Sequence, residues 1–451
     1  AAAATTRLST GISRQSWDGR SDMPSILLPG RSVRKWAAGS ATSRPIYCCR
    51  MSDRLFTARF FIMFGYTFTV FASVFQLLPV APYRVIALGG STAVAGLFHG
   101  FLTFSSALSA PVTGVMSDRI GHRAVLIGVS LLLAAFTLSY AFITDYHLLL
   151  AVVVVHGCVW SALLSASGAY MTATIPEGRR AEGLSYWGLA TVLAIGVAPA
   201  LGFWVYSHGW FMLCIEMAAL NLIMAAIAWS LPDDRADHHA SDHHDGPAKT
   251  EPLRVSNFVR SHIEWRVFKL AVTTALISFG YGALTSFSAL FADELGVAPR
   301  SLFLSVTAVT IVLGRLLVGR ALDAIGPRRV LIPCLLVPSV GLLIVAFAQG
   351  PLTLMLSALV FGAGFGLMHP AFTSYVLAHV PRQRRGAAFG AMLAAFDTGI
   401  GAGASLLGLI IHVYGFRVAF LMAAALAALS VPYFLFVERR IGLDVAPRSN
   451  Q

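Results

Sequence analysis

The stretch GVMSDRIGHRAV, residues 114–125, decides the fold because the chain carries it twice. The second copy, GRALDAIGPRRV, occupies residues 319–330. Gly114 and Gly319, Asp118 and Asp323, Gly121 and Gly326, and Arg123 and Arg328 each stand 205 positions apart. The same offset carries Gly157 onto Gly362, Pro176 onto Pro381, Arg179 onto Arg384 and Arg180 onto Arg385. One offset recurring in three separate regions marks an internal duplication.

What surrounds the two copies is mostly apolar. Of 451 residues, 57% are hydrophobic and only 12% charged, with a mean hydropathy of +0.72. A soluble domain carries about 25% charged residues, so this chain lacks the polar surface to cover a globule of its size. That excludes a soluble enzyme, a disordered chain and a fibrous one, and leaves a protein solvated mainly by lipid. Val330 to Pro381 holds no Asp, Glu, Lys or Arg, and Gln349-Gly350-Pro351 breaks it into two spans. Ala124 to Thr144 is a further charge-free run.

Read this way, the chain has twelve spans: 55–78, 90–117, 123–144, 148–173, 182–206, 211–231, 265–291, 300–320, 329–348, 351–378, 386–411 and 416–437. Lipid offers backbone groups no partners, so these are helices. The expected fold is an all-α membrane protein of two pseudo-symmetric six-helix bundles, residues 51–231 and 265–437. An even number of spans gives both bundles one orientation, with a substrate site between them near the bilayer midplane. Residues 232–264 are the linker, 438–451 a tail, and 1–50 an upstream extension or disordered tail.

The Lys+Arg excess, +12 overall, follows topology. One side of the spans carries Arg119, Arg123, Arg179, Arg180, Arg320, Arg328, Arg329, Arg382, Arg384 and Arg385; the other carries Arg84, Arg300 and Arg417. The positive-inside rule sets both termini and the linker in the cytoplasm. Such a distribution reads as membrane orientation and not as nucleic-acid binding.

The two loops resemble the signature loop of the major facilitator superfamily, at its two usual places. This resemblance covers roughly residues 52–437. It implies a cytoplasmic latch between the halves, carried by Asp118, Arg119 and Arg123 and by Asp323 and Arg328, with Gly114, Gly121, Gly319 and Gly326 shaping the loops. An Asp at a helix end can cap a neighbouring helix and pair with Arg; the alternative is that these charges only set topology. Span 5, GLATVLAIGVAPALGF, resembles the Gly/Pro motif of the family's proton-driven exporters through Gly188, Gly196, Pro199 and Gly202. Ala198 replaces the usual Gly before Pro, and ordinary small-residue packing is the other reading. Val153 stands where such exporters carry an Arg, and His156 takes the usual Gln place, which departs from the drug-exporter proton mechanism.

Charges inside spans are functional candidates by default. Asp397 lies about eleven residues into span 11, roughly 16 Å deep, and His369 lies in span 10 at a depth that an antiparallel neighbour can match. The 205 offset maps them onto Val192 and Leu164, so both break the repeat. Asp397 is expected to bind a coupling proton; the alternative is a structural Asp satisfied by hydroxyls or backbone. The run FDTGIGAG resembles a facilitator subgroup that includes sugar-efflux and metallophore-export proteins. His99, His156 and Tyr281 are further candidates for the cavity or for a packed interior. Arg315 is expected to snorkel or join the latch, Arg59 to snorkel, and Glu216 to be structural.

Cys158, Cys214 and Cys334 lie in apolar runs, where free cysteine packs as a small hydrophobe, and no spacing reads as a metal site or redox pair. DHHASDHHD, residues 237–245, reads as solvated linker, with zinc or nickel binding as the other reading. No G-x-x-x-x-G-K-[ST] occurs, which argues against ATP-driven transport. The sequence therefore predicts a bacterial inner-membrane secondary transporter, working as a monomer by alternating access, without cofactor and powered by a proton gradient. Export of a small organic molecule is favoured over uptake of a sugar or organic acid, and over a membrane sensor with the same fold.

Overall fold

The computed structural model describes residues 55–176, 179–232, 265–380 and 385–441. Residues 1–54, most of the linker with its His-rich run, the loop holding Arg382 and Arg384, and the end of the tail lie outside these. Among the described residues all regular structure is helical: α1 Ala58–Ala87, α2 Thr92–Ile120, α3 His122–Ser139, α4 Tyr146–Thr174, α5 Arg180–Tyr206, α6 Trp210–Trp229, α7 Trp265–Glu294, α8 Leu302–Ile325, α9 Pro327–Ala346, α10 Pro351–His379 and α11 Arg385–Ile441. Gly415, at φ 78°, divides α11 into two helices with no loop between them. Ten of the helices are long and apolar enough to cross a membrane, and α8 adds a shorter apolar stretch, Leu302–Arg315.

Local chemistry sets the ends. Thr57, Ser91 and Asp145 cap α1, α2 and α4, each accepting a first-turn backbone N–H that has no intrahelical partner. α1 runs nine residues past the expected 78. Pro79 and Pro82 lie inside it without ending it, because Val80, Ala81 and Val85 between and beyond them are fully buried. α3 stops before the expected 144, where the Trp210 indole donates to the Tyr140 carbonyl at 2.8 Å.

The duplication read in the sequence recurs in geometry. Gly121 and Gly326 both sit at positive φ, 95° and 92°, and each starts the next helix; a side chain there would be strained. A Cβ on Gly157 would collide with the Leu102 carbonyl and Ser105 of α2; one on Gly362 would meet Thr307 and Thr310 of α8. Those partners are again 205 positions apart. Helices α1–α6 pack mainly on one another, as do α7–α11. The two groups meet mainly along two seams, α2 against the first part of α11 and α5 against α8, with α7 also touching α1 and α2.

Candidate functional site

Both seams are built from small residues, which let helix backbones approach closely. On the first, Gly96 and Gly100 of α2 lie against Ala404, Gly401 and Ser405 of α11, so closely that a Cβ on either would collide. On the second, a Cβ on Gly196 of α5 would lie 3.3 Å from Ala308 Cβ of α8. Gly202 turns the other way, and its Cβ would lie 3.0 Å from Gln76 of α1. The α5 motif therefore packs on both sides, with Pro199 inside the helix between the two contacts.

These contacts belong to the end of the molecule away from the basic loops. There Tyr83 of α1 donates to Asp293 Oδ2 of α7 at 2.8 Å. Arg300 holds Asp293 Oδ1 at 2.7 Å and lies over the Tyr83 ring, 5.2 Å from its centroid. Gly114 and Gly390 lie on the continuation of the first seam toward the basic end, and a Cβ on either would meet no described atom within 4 Å. Gly188, on the second seam, faces the tip of Arg315 among the described residues. Among the described residues, the close backbone contacts between the two helix groups therefore lie toward the far end.

Asp118 and Arg119 are exposed and make no hydrogen bond or ion pair with described residues. Arg123 donates to the Trp229 carbonyl at 2.7 Å and lies over the Trp229 ring. Arg328 grips Glu438 bidentately, at 2.8 and 2.9 Å, and the Tyr375 hydroxyl donates to the same carboxylate. Glu438 closes the last helix onto α9 and α10; it is absent from the sequence candidates because it sits at a span end, where charges are ordinary. Gly319 and Asp323 lie on α8, with side chains outside the described set.

Three ionisable side chains occupy one layer inside the spans. Asp397 is twelve residues into α11 and His369 ten residues from the end of α10, placing both roughly 15–18 Å from the basic ends of their helices. Arg315, ten residues from the end of α8, shares this depth. Asp397 and His369 reach similar depth as expected, but they do not pair. The imidazole packs on Phe396 at 5.7 Å, and the neighbouring Asp397 carboxylate makes no hydrogen bond or ion pair with any described residue. Continuing the antiparallel register of Gly96 with Ala404 and Gly100 with Gly401 sets Asp397 opposite the Ser105 turn of α2, just past the last close contact.

Arg315 differs from its expectation. It neither snorkels out nor joins the basic loops. Its Nε lies 3.4 Å from the Gly366 carbonyl of α10, and Nη1 reaches to 3.8 Å from where a Gly188 Cβ would stand. The cause is Pro370: it has no N–H to give the carbonyl four residues back, and the guanidinium fills that vacancy. The proline within span 10 signals a freed carbonyl four residues earlier, but not which side chain of another helix reaches it.

The other candidates are occupied. His99 is buried at the α2–α7 contact, its Nδ1 2.9 Å from Ser286 Oγ. His156 pairs with the Tyr140 hydroxyl at 2.8 Å and lines a small cavity within the first helix group with Asn221 and Trp160. Tyr281 stacks on Phe365, centroids 4.3 Å apart, which itself stacks on Phe361 at 5.2 Å. Glu216 accepts from Gln76 Nε2 at 3.2 Å, between α6 and α1. Arg59 is exposed in the first turn of α1.

The sequence profile of the Major Facilitator Superfamily matches residues 55–311 and 270–450. The chain belongs to this family. It is therefore a multi-pass membrane transporter and not an enzyme. The MFS-type transporter YhhS of Escherichia coli K12 is 27% identical over 376 residues, spanning 81% of this chain and 89% of YhhS. The crystal structure of the nucleoside transporter NupG superposes with a TM-score of 0.67 at 16% identity, over 84% of this chain and 99% of NupG. The human organic anion transporter MFSD10 (TETRAN) gives 0.60 at 17% identity, over 83% of this chain and 98% of its own. At these identities the structural likenesses concern the fold.

Proposed function

We propose that this facilitator exports a small organic molecule from the cytoplasm in exchange for protons. It crosses the inner membrane of a bacterium twelve times, with both termini in the cytoplasm. Two six-helix bundles, 51–231 and 265–437, rock about the glycine seams. The cavity alternates between opening at the basic, cytoplasmic end and opening at the far end. No cofactor takes part, and the working unit is the monomer.

Asp397 carries the proton. The supporting observation is that its carboxyl group lies inside the spans, beside the seam that must open and close, without any partner among the described residues. An isolated carboxylate at that depth is costly, and protonation removes the cost. The group therefore exchanges a proton with whichever side has access. Asp118, Arg119 and Arg123, together with Asp323 and Arg328, latch the cytoplasmic end when it closes. The glycine–proline run of α5 supports the exporter direction, since Gly188 and Gly196 lie along the moving seam.

The test begins with metabolites that accumulate in a deletion strain. The accumulated compound is then followed in proteoliposomes containing a trapped pH dye. Asp397→Asn should abolish pH-gradient-driven flux while the protein still folds and binds. Unchanged coupling in that variant ends the proposal, and ligand binding without any flux points to a sensor.

A further inference from the structure

We propose that Arg315 is the anchor for a negatively charged group on the transported molecule, and that the substrate class is a planar aromatic carboxylate. The inference rests on the transporter reading and adds the substrate's chemistry. Arg315 is a guanidinium within the spans, at the seam between the two helix groups, and no Asp or Glu among the described residues pairs with it. A cation in that setting requires a counter-anion. His369, three residues along α10 from Gly366, brings no negative charge.

The geometry of the guanidinium points to a carboxylate. Pro370 leaves the Gly366 carbonyl without its helical donor, and Arg315 Nε occupies that site at 3.4 Å. One edge of the group is thereby fixed. Nη1 and Nη2 remain without hydrogen-bond partners among the described residues. Two adjacent nitrogens held in one plane match a carboxylate through parallel hydrogen bonds. Gly188 of α5, on the opposite helix group, presents no side chain to Nη1, which lies 3.8 Å from where a Cβ would stand.

The surroundings supply flat apolar surface. Phe365, next to Gly366, stacks with Tyr281 at 4.3 Å and lies 6.1 Å from Phe396. Phe396 in turn packs against His369. Aromatic faces of this kind favour offset stacking with another ring. The 205 offset carries Arg315 to Ala110 and His369 to Leu164, so the charge and its setting belong to one helix group only.

The experiment measures thermal midpoints of the purified full chain in detergent with 2-naphthoate, benzoate, the neutral 2-naphthamide and the cation 2-naphthylmethylammonium. Naphthoate should raise the wild-type midpoint more than benzoate, while the amide and the amine leave it unchanged. Arg315→Gln should abolish the naphthoate shift. Arg315→Lys should weaken apparent affinity at least tenfold, because an ammonium cannot make the paired contact. Pro370→Ala restores the missing N–H and frees the guanidinium, so it should weaken naphthoate binding with the charge still present. It also keeps the test decisive if Arg315→Gln misfolds. Equal stabilisation by the amide or amine, no response to either carboxylate, or a naphthoate shift that survives in Arg315→Gln or is unaffected by Pro370→Ala overturns the proposal. Naphthoate binding without flux in proteoliposomes upholds the anion site and counts against the transport reading. Flux of a cation with no carboxylate binding does the reverse.

Discussion

Tyr83 and Asp293 meet across the two helix groups: the phenol donates to the carboxylate at 2.8 Å, while Arg300 binds the other carboxylate oxygen at 2.7 Å. The hydrogen bond from Arg300 to Asp293 also raises the guanidinium pKa above its ordinary value. The cluster holds the far end shut. Exposed pairs of this kind contribute up to ~1 kcal/mol. Asp293→Asn should therefore shift the balance between closed and open far end about fivefold toward open. A cysteine at Ser286, buried behind this closure, should react several-fold faster with a maleimide in that background, and unchanged reactivity would show that the cluster does not hold the far end.

The glycine seams make a prediction with opposite outcomes at two positions of one helix. Gly96→Ala forces a methyl group onto the Ala404 backbone and should disfavour far-end closure, raising the labelling of the same Ser286→Cys probe. Gly114→Ala enters open space and should leave folding and labelling in this state unchanged. Gly157→Ala, which meets the Leu102 carbonyl inside one helix group, should destabilise by about 1–3 kcal/mol without favouring either state.

Glu438 has 1% of its side chain exposed and serves both Arg328 and Tyr375. Glu438→Ala removes the shared acceptor while Arg328 stays half exposed to solvent, and should cost about 1–2 kcal/mol, read as a lowered midpoint in detergent. Arg328→Lys should cost less yet lose the paired geometry. A Glu438→Ala midpoint within a degree of wild type would show that the cluster contributes nothing to the hold of the last helix.

Asp145 caps α4, and its hydrogen bond from His147 holds its carboxyl below the usual carboxylate range. A depressed carboxyl stabilises the fold above its unfolded-state pKa and loses that contribution as pH falls through the lower, folded-state value. The midpoint of Asp145→Ala should lie below wild type at pH 6, and the gap should close as the pH drops below about 4. A gap independent of pH would assign the cap to shape and not to charge.

The duplicated loop made most of the fold legible. A fixed offset between Gly121 and Gly326 survives in the structure as a shared positive φ, because only glycine takes that turn without strain. Span ends were less legible: α1 passes through Pro79 and Pro82 because burial beyond them outweighs the lost hydrogen bonds. Of the site, Asp397 and His369 stood out as charges in apolar runs, and their depth was readable from helical rise. Arg315 stood out equally, but its environment depends on a carbonyl freed on another helix, which no local pattern reports. His99 and His156 resemble cavity residues in sequence; only the fold reveals Ser286 and Tyr140 as their partners. The Tyr83–Asp293–Arg300 cluster joins residues more than two hundred positions apart, and nothing near Tyr83 announces it.

The contact of α2 with α11 has one consequence for how such a molecule moves. With main chain resting on main chain at Gly96 and Gly100, few interlocking side chains need to be lifted out before one helix pivots on the other. The far-end portion of that contact is a fulcrum, and the longer arms toward the basic loops are levers. A small rolling motion at the pivot grows along these arms, and Asp397, just beyond the last close contact, is the first charged side chain whose surroundings it changes.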